Sequence, residues 1–136
     1  MEFHLNYNPP PSPVKITHAD KILLIGSCFA ENIGEKLSDS KFNTLVNPNG
    51  ILFNPVSIAT ALHSYIKNDE DIKLGNNNGL SFSLDHHGCF SRTTAKELIQ
   101  EVLAARKQTH LFLKETEFLI ITFGSAFVYR HIKTNH

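Results

Sequence analysis

A surplus of either charge is missing from this sequence. Its 136 residues hold 13 Lys+Arg and 13 Asp+Glu, a formal net charge of zero with His neutral. Binding along nucleic acid needs excess Lys and Arg on one face, so a nucleic-acid partner is not expected. Long apolar runs are missing too. The longest, Ile22–Ile25 and Phe118–Phe123, fall far below the ~18 residues of a membrane helix, so no membrane partner is expected. The opening Met1-Glu2-Phe3-His4 has neither a basic nor an apolar signal region. Cysteine is scarce, and Cys28 and Cys89 make no disulfide framework. The expected setting is reducing and cytoplasmic. The eight histidines form no H-x-x-x-H pair and the cysteines no C-x-x-C pair, so no metal site is expected.

What remains is a composition that builds a core: 41% hydrophobic and 19% charged residues. The length allows one domain. Residues 1–13 carry Pro9, Pro10, Pro11 and Pro13 and read as an extended arm, with the domain proper spanning 14–136.

Lys21–Gly26 is a short apolar run closed by glycine, which suits a strand buried on both faces. Phe29, Ile33 and Leu37 then recur at four-residue spacing, the stripe of an amphipathic helix. Phe42–Val46 reads as a second strand. Asn54-Pro55 opens a second helix, Asn as N-cap and Pro in the first turn, with Ile58, Leu62, Tyr65 and Ile66 as its buried stripe. Residues 71–93 look irregular, apart from an Asn76–Gly79 turn and an alternating strand at Leu80–Leu84. Thr94–Glu97 is a capping box opening a third helix to about Leu113, and Glu117–Phe123 is a third buried-type strand. Alternating strands and helices predict an α/β fold with a parallel sheet. A doubly wound sheet has about five strands, and Phe127–His131 begins a further extended segment. The chain is therefore read as the N-terminal part of a longer protein.

Gly26-Ser27-Cys28-Phe29-Ala30 joins the first strand to the first helix, at the sheet edge where α/β proteins bind ligands. A serine there sits against helix N–H groups that favour an oxyanion, so Ser27 is a candidate nucleophile whose own N–H is a candidate oxyanion donor. On spacing alone, a plain N-cap role for Ser27 comes first. Cys28 is a rival nucleophile, or else a small buried apolar residue. Asn47–Pro55 reaches the same edge after the second strand. Gly50 can offer a bare N–H there, and Asn47 or Asn49 a side-chain donor, although Asn-Pro and Asn-Gly are also turn formers. Thr122–Ala126 reaches that edge a third time, with Gly124 and Ser125.

Gly26–Ala30 matches letter for letter the motif that names the GSCFA family. Asn47–Pro55 and Phe123–Tyr129 resemble further blocks of that family in the same order, and His86–Ser91 its histidine-containing loop. The family is similar to SGNH/GDSL-type hydrolases. The resemblance implies a flavodoxin-like three-layer sandwich and an esterase-like or acyl-transferring activity on a small-molecule or carbohydrate acyl ester, with no cofactor. It makes Ser27 the nucleophile, Gly50 an oxyanion donor and Gly124 the glycine of the third block. Those hydrolases carry an Asn two residues after that glycine. Ala126 stands there instead, so Ser125 or Asn49 is the expected replacement donor. Their catalytic base is a late histidine that none of the eight here matches, and the base is expected outside this chain. Within it, His86 and His87 are the candidates for base or substrate binding, with solvated loop residues as the alternative. A non-catalytic binding domain lacking its base is the competing reading of the whole.

Overall fold

The computed structural model describes residues 7–128. Residues 7–13 of the proline arm are exposed and lie outside any strand or helix. The chain then runs β1 (Lys21–Gly26), α1 (Cys28–Asp39), β2 (Asn43–Val46), α2 (Pro55–Lys67), β3 (Leu74–Asn77), β4 (Leu80–Ser83), a short 3₁₀ turn (Gly88–Phe90), α3 (Ala95–Leu113) and β5 (Phe118–Thr122).

β2, β1 and β5 form a parallel sheet in that order, with Leu23 beside both Leu45 and Leu119. The middle strand explains the unbroken apolar run at Ile22–Ile25. Ile22 and Leu24 face α1 with Ala30, Ile33 and Leu37, whereas Leu23 and Ile25 face Ile58, Ala61 and Tyr65 of α2 and Phe112 and Leu113 of α3. Successive side chains of a strand point to opposite faces, so a strand covered on both sides is apolar throughout. Helices on both faces of a parallel sheet make an α/β arrangement consistent with a flavodoxin-like fold.

Both first helices begin as the sequence indicates. Ser27 caps α1, and Asn54 caps α2 by accepting the Ser57 N–H at 2.8 Å, with Pro55 in the first turn. Thr94 and Glu97 form the capping box of α3: Thr94 Oγ1 accepts the Glu97 N–H, and the two side chains bond at 2.8 Å.

Three expectations are corrected. Phe29 is not on the buried stripe of α1 and is 63% exposed, because the face turned to the sheet is centred on Ala30 and Gly34. Gly34 lets that face close on β2, since a Cβ there would lie 2.4 Å from Val46 Cγ2. Ile66 is 65% exposed, because Ile58, Ala61 and Tyr65 complete the inward stripe of α2 one residue earlier. Residues 71–93 are also more ordered than their composition suggests. β3 and β4 pair as an antiparallel hairpin through Asn78 and Gly79, both with positive φ, as a two-residue type I′ turn requires. Phe90, Leu98 and Val102 make a small second core nearby. Phe127 and Val128 are exposed and in no strand, while the rest of the expected Phe127–His131 segment lies outside the described residues.

Candidate functional site

The sheet order fixes where the site can be. From β1 the chain passes to β2 through α1 on one face, and reaches β5 on the other side of β1 through α2 and α3 on the opposite face. The carboxyl end of β1 is thus the point where the connections diverge, and a crevice opens at such a point in α/β sheets. Ser27 occupies it.

Gly26 shapes the turn. Its φ is +147°, and a Cβ there would lie 2.1 Å from the Thr122 carbonyl oxygen, so glycine alone permits this approach. Ser27 follows in extended conformation as the α1 N-cap, its Oγ accepting the Phe29 N–H at 3.3 Å. The same Oγ lies 3.1 Å from Thr122 Oγ1. The Ser27 N–H donates to Thr122 Oγ1 at 3.1 Å and to the Thr122 carbonyl at 3.3 Å. Ser27 is buried, at 7% exposure, and among the described residues no histidine is bonded to it. Cys28, the next residue, is exposed, which corrects its reading as a buried apolar residue: the strand-to-helix turn sends the two side chains in different directions.

The Asn47–Asn54 loop folds against this turn. Asn47, with φ +43°, takes the Gly26 N–H on Oδ1 at 2.8 Å and gives its own N–H to the Leu24 carbonyl at 2.9 Å. Its carbonyl accepts the Gly50 N–H at 2.7 Å, so that N–H closes a turn here. Leu52 N–H donates to the Gly26 carbonyl at 2.9 Å. Gly50, with φ +75°, lies so close to the next loop that a Cβ would be 2.4 Å from His87 Cβ. Asn49 is buried and joins the same loops: its Nδ2 donates to the Asp85 carbonyl at 3.3 Å, and its carbonyl accepts the His87 N–H at 2.9 Å.

The segment after β5 completes the edge. Gly124 and Ser125 both donate N–H to the Phe53 carbonyl, at 2.9 and 3.0 Å. A Cβ on Gly124 would meet Phe53 Cδ1 at 2.8 Å and Ser27 Cβ at 3.3 Å, so this glycine packs closely against both side chains. Ser125 Oγ accepts the Phe127 N–H at 3.0 Å. A cleft of about 480 Å³ runs outward from here between Phe53, Asn54, His86, His87, Ser125 and Phe127.

The two loop histidines differ. His86 Nδ1 is held by Ser83 Oγ at 2.7 Å and its ring tilts against Phe90. Burial, with the Arg106 charge adding to it and Asp85 opposing, lowers its pKa to about 4, so it is neutral near pH 7. His87 is exposed and its Nδ1 accepts the Cys89 N–H at 3.3 Å.

The structure therefore brings Gly124 against Ser27 and bonds Asn47 to Gly26, the residue before Ser27. Gly50 and Asn49 join them through the Asn47 loop, and His86, His87 and Ser125 line the adjoining cleft. Reading by residue type missed two participants. Thr122 ends an apolar strand with a hydroxyl, a signal visible in the sequence. Ser83 has no comparable signal, because its link to His86 depends on the turn after β4. Among the described residues no group of three or more His, Cys, Asp or Glu side chains is placed to hold a metal ion.

Fold and site together define an α/β protein with a serine at the switch point of a parallel sheet. The chain belongs to the GSCFA family, whose model matches residues 21–136. No curated protein and no solved structure matches the chain. Among the described residues no helix is long and apolar enough to cross a membrane.

Proposed function

We propose that this chain carries the nucleophile of a serine acyl hydrolase or acyltransferase. The observation that carries the reading is Ser27 itself: a hydroxyl at the N-terminus of α1, at the carboxyl end of β1, with Gly124 beside it and the Phe53–His86 cleft adjoining. A helix N-terminus favours negative charge, which an attacking alkoxide and a tetrahedral oxyanion both bear. In the proposed step the Ser27 proton passes to an imidazole base outside the described residues. The Oγ–carbon bond forms and the carbonyl π pair moves onto oxygen. Collapse releases the alcohol, which takes the proton, and leaves acyl-Ser27 for water or a second hydroxyl. Gly50, Asn49 and Ser125 are the proposed lining of the oxyanion side, and His86, His87 and Gly124 of the substrate side. The proposed substrate is a small-molecule or carbohydrate acyl ester, with no cofactor, and the proposed setting is cytoplasmic.

One observation favours a second reading. Ser27 is buried and its Oγ is shared by Thr122 and the Phe29 N–H, as in a structural N-cap. A domain that binds an ester without cleaving it fits that arrangement. Turnover of p-nitrophenyl acetate by the protein and by Ser27→Ala separates the two. Acyl chemistry predicts loss of turnover in the variant, and equal turnover supports the binding domain.

A further inference from the structure

Every backbone N–H offered to an oxyanion by residue type alone is engaged in this structure. Ser27 N–H is given to Thr122, and Gly50 N–H to the Asn47 carbonyl. Asn49 Nδ2 is spent on the Asp85 carbonyl. The Asn47 carboxamide differs from these. Asn47 is 8% exposed, and its Nδ2 is buried with no hydrogen-bond partner among the described residues.

The orientation of that amide is not arbitrary. Gly26 N–H can bond only to an oxygen, so Oδ1 faces Gly26 and Nδ2 is the free end. The carboxamide is fixed on both sides of its own residue, because Asn47 N–H is bonded to Leu24 and its carbonyl to Gly50. Nδ2 is thus the far end of a carboxamide whose Oδ1 lies 2.8 Å from the nitrogen of Gly26, the residue before Ser27. Buried donors are paired in nearly all folded proteins, and an orphan on a rigidly held carboxamide bonded to the residue before a candidate nucleophile has the character of a ligand-binding group.

We infer that Asn47 Nδ2 is the donor that receives the acyl oxygen of the ester at Ser27. The ligand it selects is a neutral carbonyl whose oxygen gains negative charge as Ser27 adds to it. A preset donor that strengthens its bond only as charge develops lowers the barrier rather than tightening ground-state binding. The inference rests on the Ser27 reading and goes beyond it by assigning the donor to the end of β2.

Two measurements test it. Asn47→Asp keeps an oxygen for Gly26 N–H and removes the free donor. Its kcat for p-nitrophenyl acetate is expected to fall about 10²–10³-fold, with KM changed by less than about threefold. In the unmutated, folded protein, a fluorophosphonate placed on Ser27 puts a phosphonyl oxygen where the oxyanion would be, and the Asn47 side-chain N–H resonances are expected to shift. An unchanged kcat in Asn47→Asp, or unmoved Asn47 resonances on a labelled Ser27, overturns the inference. If Ser27→Ala turns over as fast as the parent, the Ser27 reading itself has failed. If Ser27→Ala is dead and Asn47→Asp is not, only the role of Asn47 has failed.

Discussion

Ser27 and Thr122 share three hydrogen bonds across the ends of two adjacent parallel strands: Ser27 N–H to Thr122 Oγ1 at 3.1 Å and to the Thr122 carbonyl at 3.3 Å, and hydroxyl to hydroxyl at 3.1 Å. The link fixes the start of α1 to the end of β5, and with it the direction in which the Ser27 hydroxyl faces.

Thr122→Val preserves the shape of that side chain and deletes its hydroxyl. Ser27 N–H keeps the Thr122 backbone carbonyl as partner, so the loss is confined to side-chain bonds. The expected cost is about 1 kcal/mol in urea unfolding. A variant as stable as the parent contradicts a structural role for the pair.

The glycines at the site should separate by what surrounds them. In Gly26→Ala a Cβ would press on the Thr122 carbonyl, a backbone atom that cannot step aside, at a φ that disfavours any side chain. The expected loss exceeds about 3 kcal/mol. In Gly124→Ala the nearest atom belongs to the half-exposed Phe53 side chain rather than to backbone, so about 1–2 kcal/mol is expected. Thermal melting of the two variants checks the order, and equal costs contradict it.

His86 gives stability a pH dependence with a definite sign. Its folded pKa of about 4 lies below the 6.5 of the unfolded chain, so unfolding takes up a proton between those values. The contribution of neutral His86 is fully present above pH 6.5 and declines as pH falls toward 4. His86→Gln keeps a polar side chain near Ser83 and does not titrate. The difference in unfolding free energy between parent and variant should therefore narrow or reverse from pH 7 to pH 4. A difference that stays constant contradicts a partly buried, neutral His86.

The sheet was legible because its signals are local. The run Ile22–Ile25, the caps at Ser27, Asn54 and Thr94, and the apolar stripe of α2 through Ile58 and Tyr65 each follow from backbone bonding or burial of neighbouring residues. The misplacements of Phe29 and Ile66 came from the phase of a helix face, which depends on how α1 and α2 dock rather than on spacing. β3 was hidden because Leu74–Asn77 is held by cross-strand pairing with β4 and has little apolar content. At the site, residue types marked the right three segments. The allocation of their hydrogen bonds was beyond the sequence, because the bond from Gly50 to Asn47 and those from Ser27 to Thr122 exist only once the strands are side by side.

The central claim is that Ser27 is chemically activated. Mass-spectrometric mapping of the protein after brief exposure to a fluorophosphonate tests it most directly, with Cys28→Ser included to exclude the neighbouring exposed thiol. The account predicts a single adduct on the peptide containing Ser27, formed equally in Cys28→Ser and absent in Ser27→Ala. No adduct on Ser27, at concentrations and times that label a known serine hydrolase to completion, contradicts it.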